Sequence, residues 1–152
     1  MNELVRNALP SLSPEQNAWF ERLIDKVAEM PPVEIRTEHH LFAGVYSRTV
    51  YVPAGTAVVG LLVRCPTQLI ASGHFQLTDG GASREFDGYY VFDGSAGRRA
   101  AAVALSDCAF TMLFATDAKT VEEAEAEFTD EPDRLLSRKE NECRELQSQE
   151  PP

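Results

Sequence analysis

Hydrophobic positions along this chain change their period twice. Between Ser13 and Met30 they recur at helical spacing, so that Trp19, Phe20, Leu23, Ile24, Val27 and Met30 form one apolar stripe. Ser13 is a good N-cap, Pro14 suits the first helical position, and Gln16 completes a capping box. Pro31 and Pro32 stop the helix. From Val33 to Thr116 β-branched and aromatic residues dominate, broken by turn signals. Strands are predicted near 33–37, 41–52, 56–64, 67–78, 83–86, 89–92, 99–105 and 108–115. The turns between them are read at 53–55, 79–81, 87–88, 93–94 and 96–97, where Gly or Pro supplies the required φ. From Ala118 the helical period returns. Residues 120–128 predict one helix and residues 134–149 a second, split by Glu131-Pro132.

Many short strands at roughly ten-residue spacing predict an all-β sandwich or barrel. The division that follows is an N-terminal helical segment over 1–32, a β-barrel over 33–116 and an acidic helical tail over 117–152. The apolar stripe at 14–30 offers more surface than one small barrel needs, so a homo-oligomer, a dimer, is expected.

Composition changes the picture mainly through charge. The 152 residues are 43% hydrophobic and 25% charged, ordinary for a globular protein, with a net charge of −10. Residues 117–152 hold 12 acidic and 5 basic side chains, whereas 33–116 hold 7 and 6. The tail therefore carries the charge, and neither nucleic acid nor an anionic membrane is an expected partner. No run of eighteen apolar residues occurs, and the first residues lack the apolar stretch of a secretory signal. The cysteines, Cys65, Cys108 and Cys143, are widely spaced and odd in number, as reduced thiols of a cytoplasmic protein would be. No Walker loop, G-x-S-x-G, G-x-G-x-x-G or H-E-x-x-H is present.

The order of His40, Phe42, Gly44, Val45, Tyr46 and Arg48, then Pro53 to Thr56, Gly60 and Gly73, then Val91, Phe92, Ala96 and Gly97, then Asp107, Phe110 and Thr111, resembles the small single-domain cupins common in bacteriophages. The resemblance covers about residues 34–130. It implies a cupin-like jelly-roll barrel with an interior the size of a small molecule, and a phage or host protein as a further partner. Metal-binding cupins carry His-x-His and Glu in a first motif and His in a second. Here residues 60–73 contain neither histidine nor acid, and Leu105 stands where the second histidine would fall. No metal and no cofactor is expected from this comparison.

The candidate ligand-binding residues are His40, Tyr46, Arg48, Arg64, His74, Tyr90 and Arg98. Adjacent strand residues point to opposite faces, so His39 and His40 cannot share one metal, and the resemblance favours His40 as the inward member. On one unbroken strand His40, Phe42, Gly44, Tyr46 and Arg48 would share a face, and an arginine there needs a partner or an anionic ligand. Arg64 would stand at the barrel mouth. His74 sits beside a phenylalanine, as a structural histidine would. Tyr90 is expected to be the inward member of its pair with Tyr89. Arg98 and Arg99 follow a turn glycine, where arginines commonly face water or form a small anion site. Cys65 precedes proline and has no evident base, so it is not expected to be a nucleophile.

Three functions follow. The first is a metal-free binding module for a small polar or anionic, nucleotide-like ligand, phage-encoded. The second is a structural or interaction protein using the barrel as a scaffold. The third is a metal-dependent enzyme with an atypical site at His40 and His74.

Overall fold

The computed structural model describes residues 2–80 and 82–135. The second predicted tail helix and Cys143 fall outside them, apart from a 3-10 turn at Pro132–Arg134 and the extended Leu135.

Helix α1, Pro14–Ala28, begins as its sequence predicts. The Ser13 hydroxyl accepts from the Gln16 N–H, and the Gln16 side chain accepts from the Ser13 N–H. Of its stripe only Phe20 is fully buried, and Trp19 and Met30 remain exposed.

Eight strands follow or precede it: β1 Ala8–Leu9, β2 Arg36–Phe42, β3 Val45–Val52, β4 Ala57–Val59, β5 Thr67–Thr78, β6 Arg84–Gly94, β7 Ala101–Ala104 and β8 Cys108–Ala115. They run β1-β6-β5-β8-β3-β2, with β7 pairing β5 and β4 pairing β7. The strand-rich architecture is as expected, but the barrel is not closed: among the described residues β2 and β4 are open edges. The long strand β5 carries the organisation. Its first half pairs β8 over Gln68–Ser72 and its second half pairs β7 over Phe75–Thr78, so the sheet forks at Gly73. Gly73 and Gly88 face each other across β5 and β6, both with positive φ. A Cβ on Gly73 would sit 2.7 Å from Cys108 Sγ and 2.9 Å from the Asp107 carbonyl, so only glycine fits the fork. The two limbs fold over a shared core that includes Phe75, Phe92, Phe110, Val52, Ala102 and Leu9.

Three expectations are corrected. Residues 41–52 are not one strand: Ala43 and Gly44, at φ 56 and 71, turn the chain into the β2–β3 hairpin. Residues 87–88 and 93–94 are not turns, because β6 runs unbroken through Gly88 into Gly94. The strand expected at 56–64 is only β4 plus one bridge between Val63 and Arg98.

Helix α2, Val121–Phe128, starts on the Thr120 hydroxyl, which accepts from the Glu123 N–H. It packs on the sheet. Ala124, Glu125 and Phe128 are buried, and Phe128 packs with Tyr46, Phe114, Met112 and Val63 in a second cluster at one end of the sheet.

Candidate functional site

The β2–β3 hairpin decides which polar groups face inward. Its register places His39 opposite Arg48 and Leu41 opposite Tyr46, so these four share the inner face. His40 pairs with Ser47 on the outer face and is exposed. The inward histidine is therefore His39, not His40, because the turn at 43–44 resets the alternation that an unbroken strand would have kept.

On the inner face a polar network lies beneath α2. The Tyr46 hydroxyl is 2.7 Å from His39 Nδ1, and the two rings stack at 6.0 Å. Arg48 Nη1 donates to Glu125 Oε2 at 3.4 Å, both side chains being buried. Tyr46 also stacks on Phe128 at 6.2 Å and meets Phe114 edge-on. Burial pushes the Tyr46 hydroxyl up to about 12, Glu125 adding to the shift and Arg48 opposing it. Burial, then the Arg48 charge, holds His39 below the usual histidine value. Tyr46 therefore stays protonated and His39 tends to stay neutral, which lets the O–H donate to Nδ1. The group is a hydrogen-bonded network beneath α2, with His39 half-buried at its margin. Glu125, which answers Arg48, lies 77 residues away on α2.

The remaining candidates scatter. Arg64 is exposed at the surface and bonds Asp130, while its N–H donates to the Phe128 carbonyl. His74 lies on the outer side of β5, where Nε2 is 2.5 Å from Glu85 Oε1. It does not meet His40, so the two form no joint metal site. Tyr90 is half-buried beside Phe75, Phe86 and Phe92, and its hydroxyl donates to the Asp87 carbonyl at 3.0 Å. It belongs to the aromatic filling between the limbs.

Arg98 and Arg99 do not face water. Arg99 is 1% exposed. It donates from Nε to the Gly60 carbonyl at 2.8 Å and from Nη1 to Asn17 Oδ1 and Glu21 Oε1, locking α1 to the sheet. Arg98 is 5% exposed. Its Nε and Nη2 donate to a single acceptor, Thr67 Oγ1, at 3.0 and 2.6 Å. Burial pulls its guanidinium down to about 10. Cys65 lies close enough to feel the charges of Arg98, Arg64 and Glu127, yet burial raises its thiol, so it is not an activated nucleophile.

The positions at which the resemblance puts metal ligands do not fit a metal ion. Leu62, Val63 and Leu105 carry no donor atoms, and Val63 is packed in the apolar cluster under α2. Among the described residues no three His, Cys, Asp or Glu side chains converge. No described helix is long and apolar enough to cross a membrane.

No family model matches the chain, and no curated protein sequence matches it. Solved structures do. Ectoine synthase from P. lautus is similar with a TM-score of 0.49 at 13% identity, over 72% of this chain and 83% of that one. A cupin superfamily protein from Desulfitobacterium hafniense is similar with a TM-score of 0.47 at 13% identity, over 59% and 84%. KdgF from Halomonas sp. is similar with a TM-score of 0.45 at 20% identity, over 59% and 86%. These likenesses concern the course of the backbone and carry no activity across.

Proposed function

We propose that this chain is a cupin-like, non-catalytic binding module that works as an assembled scaffold, making its contacts on the outer face of the sheet. One observation carries this reading. Five neighbouring strands, β2, β3, β8, β5 and β6, present a continuous outer face on which Phe42, Val45, Leu113, Ile70, Val91 and Tyr89 project. Phe42 is 85% exposed and Tyr89 67%. Exposed aromatic and aliphatic side chains interleaved with Ser47, Gln68, Ser72 and Thr111 on one sheet face have the mixed composition of an interaction surface.

The occupant that fits is a second copy. The chain is strongly acidic, and this face holds Arg36 against Glu38, Glu85, Asp87 and Asp93, of which Glu38 pairs with Arg36 and Glu85 with His74. Glu85, Asp87 and Asp93 all lie on β6, so two copies meet with least repulsion over β2, β3 and β8, where Arg36 and Glu38 pair with each other. Five strands at about 4.8 Å and seven residues at about 3.3 Å give roughly 550 Å² in projection. The corrugated accessible area is larger, and approaches the roughly 800 Å² per partner of a stable interface. Sealing of the interior by α2 supports the same reading, since the Arg48–Glu125 and Tyr46–His39 contacts already use the polar groups beneath it.

Light scattering and native mass spectrometry test the proposal. The chain is expected to run at twice its 16.8 kDa mass. Phe42→Glu and Val91→Glu are expected to give folded monomers with unchanged melting temperature. A monomeric wild-type protein at about 50 µM, well above the Kd of about 1 µM that an interface near −8 kcal/mol gives, refutes the proposal. A dimer untouched by either substitution places the contact elsewhere, with the half-covered stripe of α1 next in line.

A further inference from the structure

The hydrogen bonds beneath α2 run in one direction. An arginine can only donate. Arg48 donates to Glu125 on α2 and also hydrogen-bonds the Tyr46 hydroxyl, so the Tyr46 oxygen accepts there and its own proton goes to one further acceptor. That acceptor is His39 Nδ1, at 2.7 Å. Tyr46 is fully buried, so its proton has no water to turn to if this acceptor is lost. The chain Glu125–Arg48–Tyr46–His39 is therefore complete only while Nδ1 carries a lone pair. His39 itself is half-buried, and solvent protons reach it.

Among the described residues, four charged or titratable groups besides Tyr46 act on His39. Burial is the largest influence against a charge there, followed by Arg48 on β3; Glu125 and Glu122 on α2 favour the charge, and His40, its neighbour on β2, opposes it. What the chain holds in place is a short helix. Helix α2 has eight residues, too few to persist without packing. It turns Ala124, Glu125 and Phe128 inward, and Phe128 lies on the Tyr46 ring. A backbone amide outside the helix reports on its docking, because Arg64 N–H donates to the Phe128 carbonyl at 2.8 Å.

We infer that His39 is an acid-sensitive latch on α2, docked while Nδ1 is bare and released when Nδ1 takes a proton. The proton turns the acceptor into a donor, strands the Tyr46 O–H and sets a second cation near Arg48. Helix α2 then parts from the sheet and uncovers the apolar end formed by Tyr46, Val63, Met112 and Phe114. The sign follows from linkage. With α2 released, His39 lies in water and binds the proton more readily, so docking is strongest above the ordinary histidine value of about 6.5 and weakens as pH falls below it. One proton changes the ratio of released to docked helix by at most about tenfold per pH unit. The latch lies on the inner side of the sheet and is independent of the outer-face assembly proposed above.

Amide hydrogen exchange of the full chain, followed by NMR between about pH 7.5 and pH 5.5, tests the latch; this window stays above the ordinary carboxylate range. Each rate is divided by the intrinsic exchange rate at that pH. The reporters are the N–H groups of Arg64, Ala124 and Thr129, which donate to the carbonyls of Phe128, Thr120 and Glu125. Their protection is expected to fall several-fold across the window, up to about tenfold per pH unit, while the amides of β5 keep theirs. His39→Gln supplies an amide oxygen to the Tyr46 hydroxyl and does not titrate, so its Arg64 protection is expected to be flat. Exposed His40→Gln is expected to keep the native profile. Should His39→Gln fold poorly, Tyr46→Phe decides, since it removes the hydroxyl between the imidazole and Arg48 and should flatten the profile too. The inference falls if protection at Arg64 and Ala124 in the native chain does not change with pH. It also falls if β5 loses protection in step with them, which is global unfolding, or if His39→Gln or Tyr46→Phe keeps the native profile.

Discussion

Arg98→Met should make the protein more stable. Burial pulls the Arg98 guanidinium well below its ordinary value, to about 10. At about 1.4 kcal/mol per pH unit, the folded state bears a penalty of about 3 kcal/mol for keeping that charge inside at neutral pH. The opposing return is the pair of bonds to Thr67 Oγ1, worth about 1–2 kcal/mol together because they share one acceptor. Methionine fills much of the guanidinium's length without the charge, and leaves Thr67 a hydroxyl with fewer partners. The net expectation is a gain of about 1–2 kcal/mol, or roughly 3–6 °C for a domain of this size. Urea denaturation suits the measurement, because guanidinium chloride would screen the effect under study. The sign also depends on pH. A base whose folded value is depressed carries its penalty at all pH below about 10 and sheds it as pH rises above about 10, so the advantage of the variant should shrink in strong alkali. A loss of more than about 1 kcal/mol at neutral pH would show that Arg98 is a net structural anchor, and the reasoning from desolvation would fail.

Glu125→Ala should cost about 3–5 kcal/mol in the same urea assay, because it leaves Arg48 buried against a hole, whereas Arg48→Met with Glu125→Leu should recover most of the loss. Tyr46 should ionise near pH 12, and Tyr46→Phe should remove that step from an alkaline absorbance titration. An acid whose folded value is raised favours folding below its unfolded value, so stability should fall as pH climbs from about 10 to about 12, and a tyrosine titration complete by about pH 10 would contradict the burial of this ring.

What could be read in advance follows the range of the interactions. Helix α1 was legible because its start is local: Ser13, Pro14 and Gln16 act within one turn. Strands β5 and β8 were legible because their alternation is long, and both match the predicted spans 67–78 and 108–115. The β2–β3 turn was not, because Ala43 takes a positive φ that its side chain gives no reason to expect. That one turn moved the inward histidine from His40 to His39. Gly88 misled in the opposite sense, since Asp-Gly reads as a hairpin but here meets Gly73 where the sheet forks. The burial of Arg99 rests on Asn17 and Glu21, 82 and 78 residues away, and that of Arg48 on a glutamate of α2. A paired arginine and a solvated one look alike in a sequence whenever the partner arrives only on folding.

The contrast between the two inner arginines bears on whether the state of Arg98 is an accident of packing. Helix α2 is rich in glutamate and packs at this end of the sheet. Glu125 turns inward and takes Arg48. Glu127 exerts its charge at Cys65, which also feels Arg98, but its carboxylate accepts instead from the Thr116 hydroxyl at 2.5 Å. Thr116 Oγ1 in turn accepts from the Ala118 N–H at 3.0 Å, which ties that contact into the turn leading to the helix. A carboxylate is thus held near the Arg98 end of the fold and bonded elsewhere, while Gly94 clears space for the cation and Thr67 retains a proton to give. Random packing would be expected to neutralise so costly a group with the carboxylates at hand, or to replace it with an apolar residue, as buried charges generally tolerate well. Retention of an unmatched guanidinium at 5% exposure is a cost to stability, and the comparison of Arg98→Met with the native chain measures it.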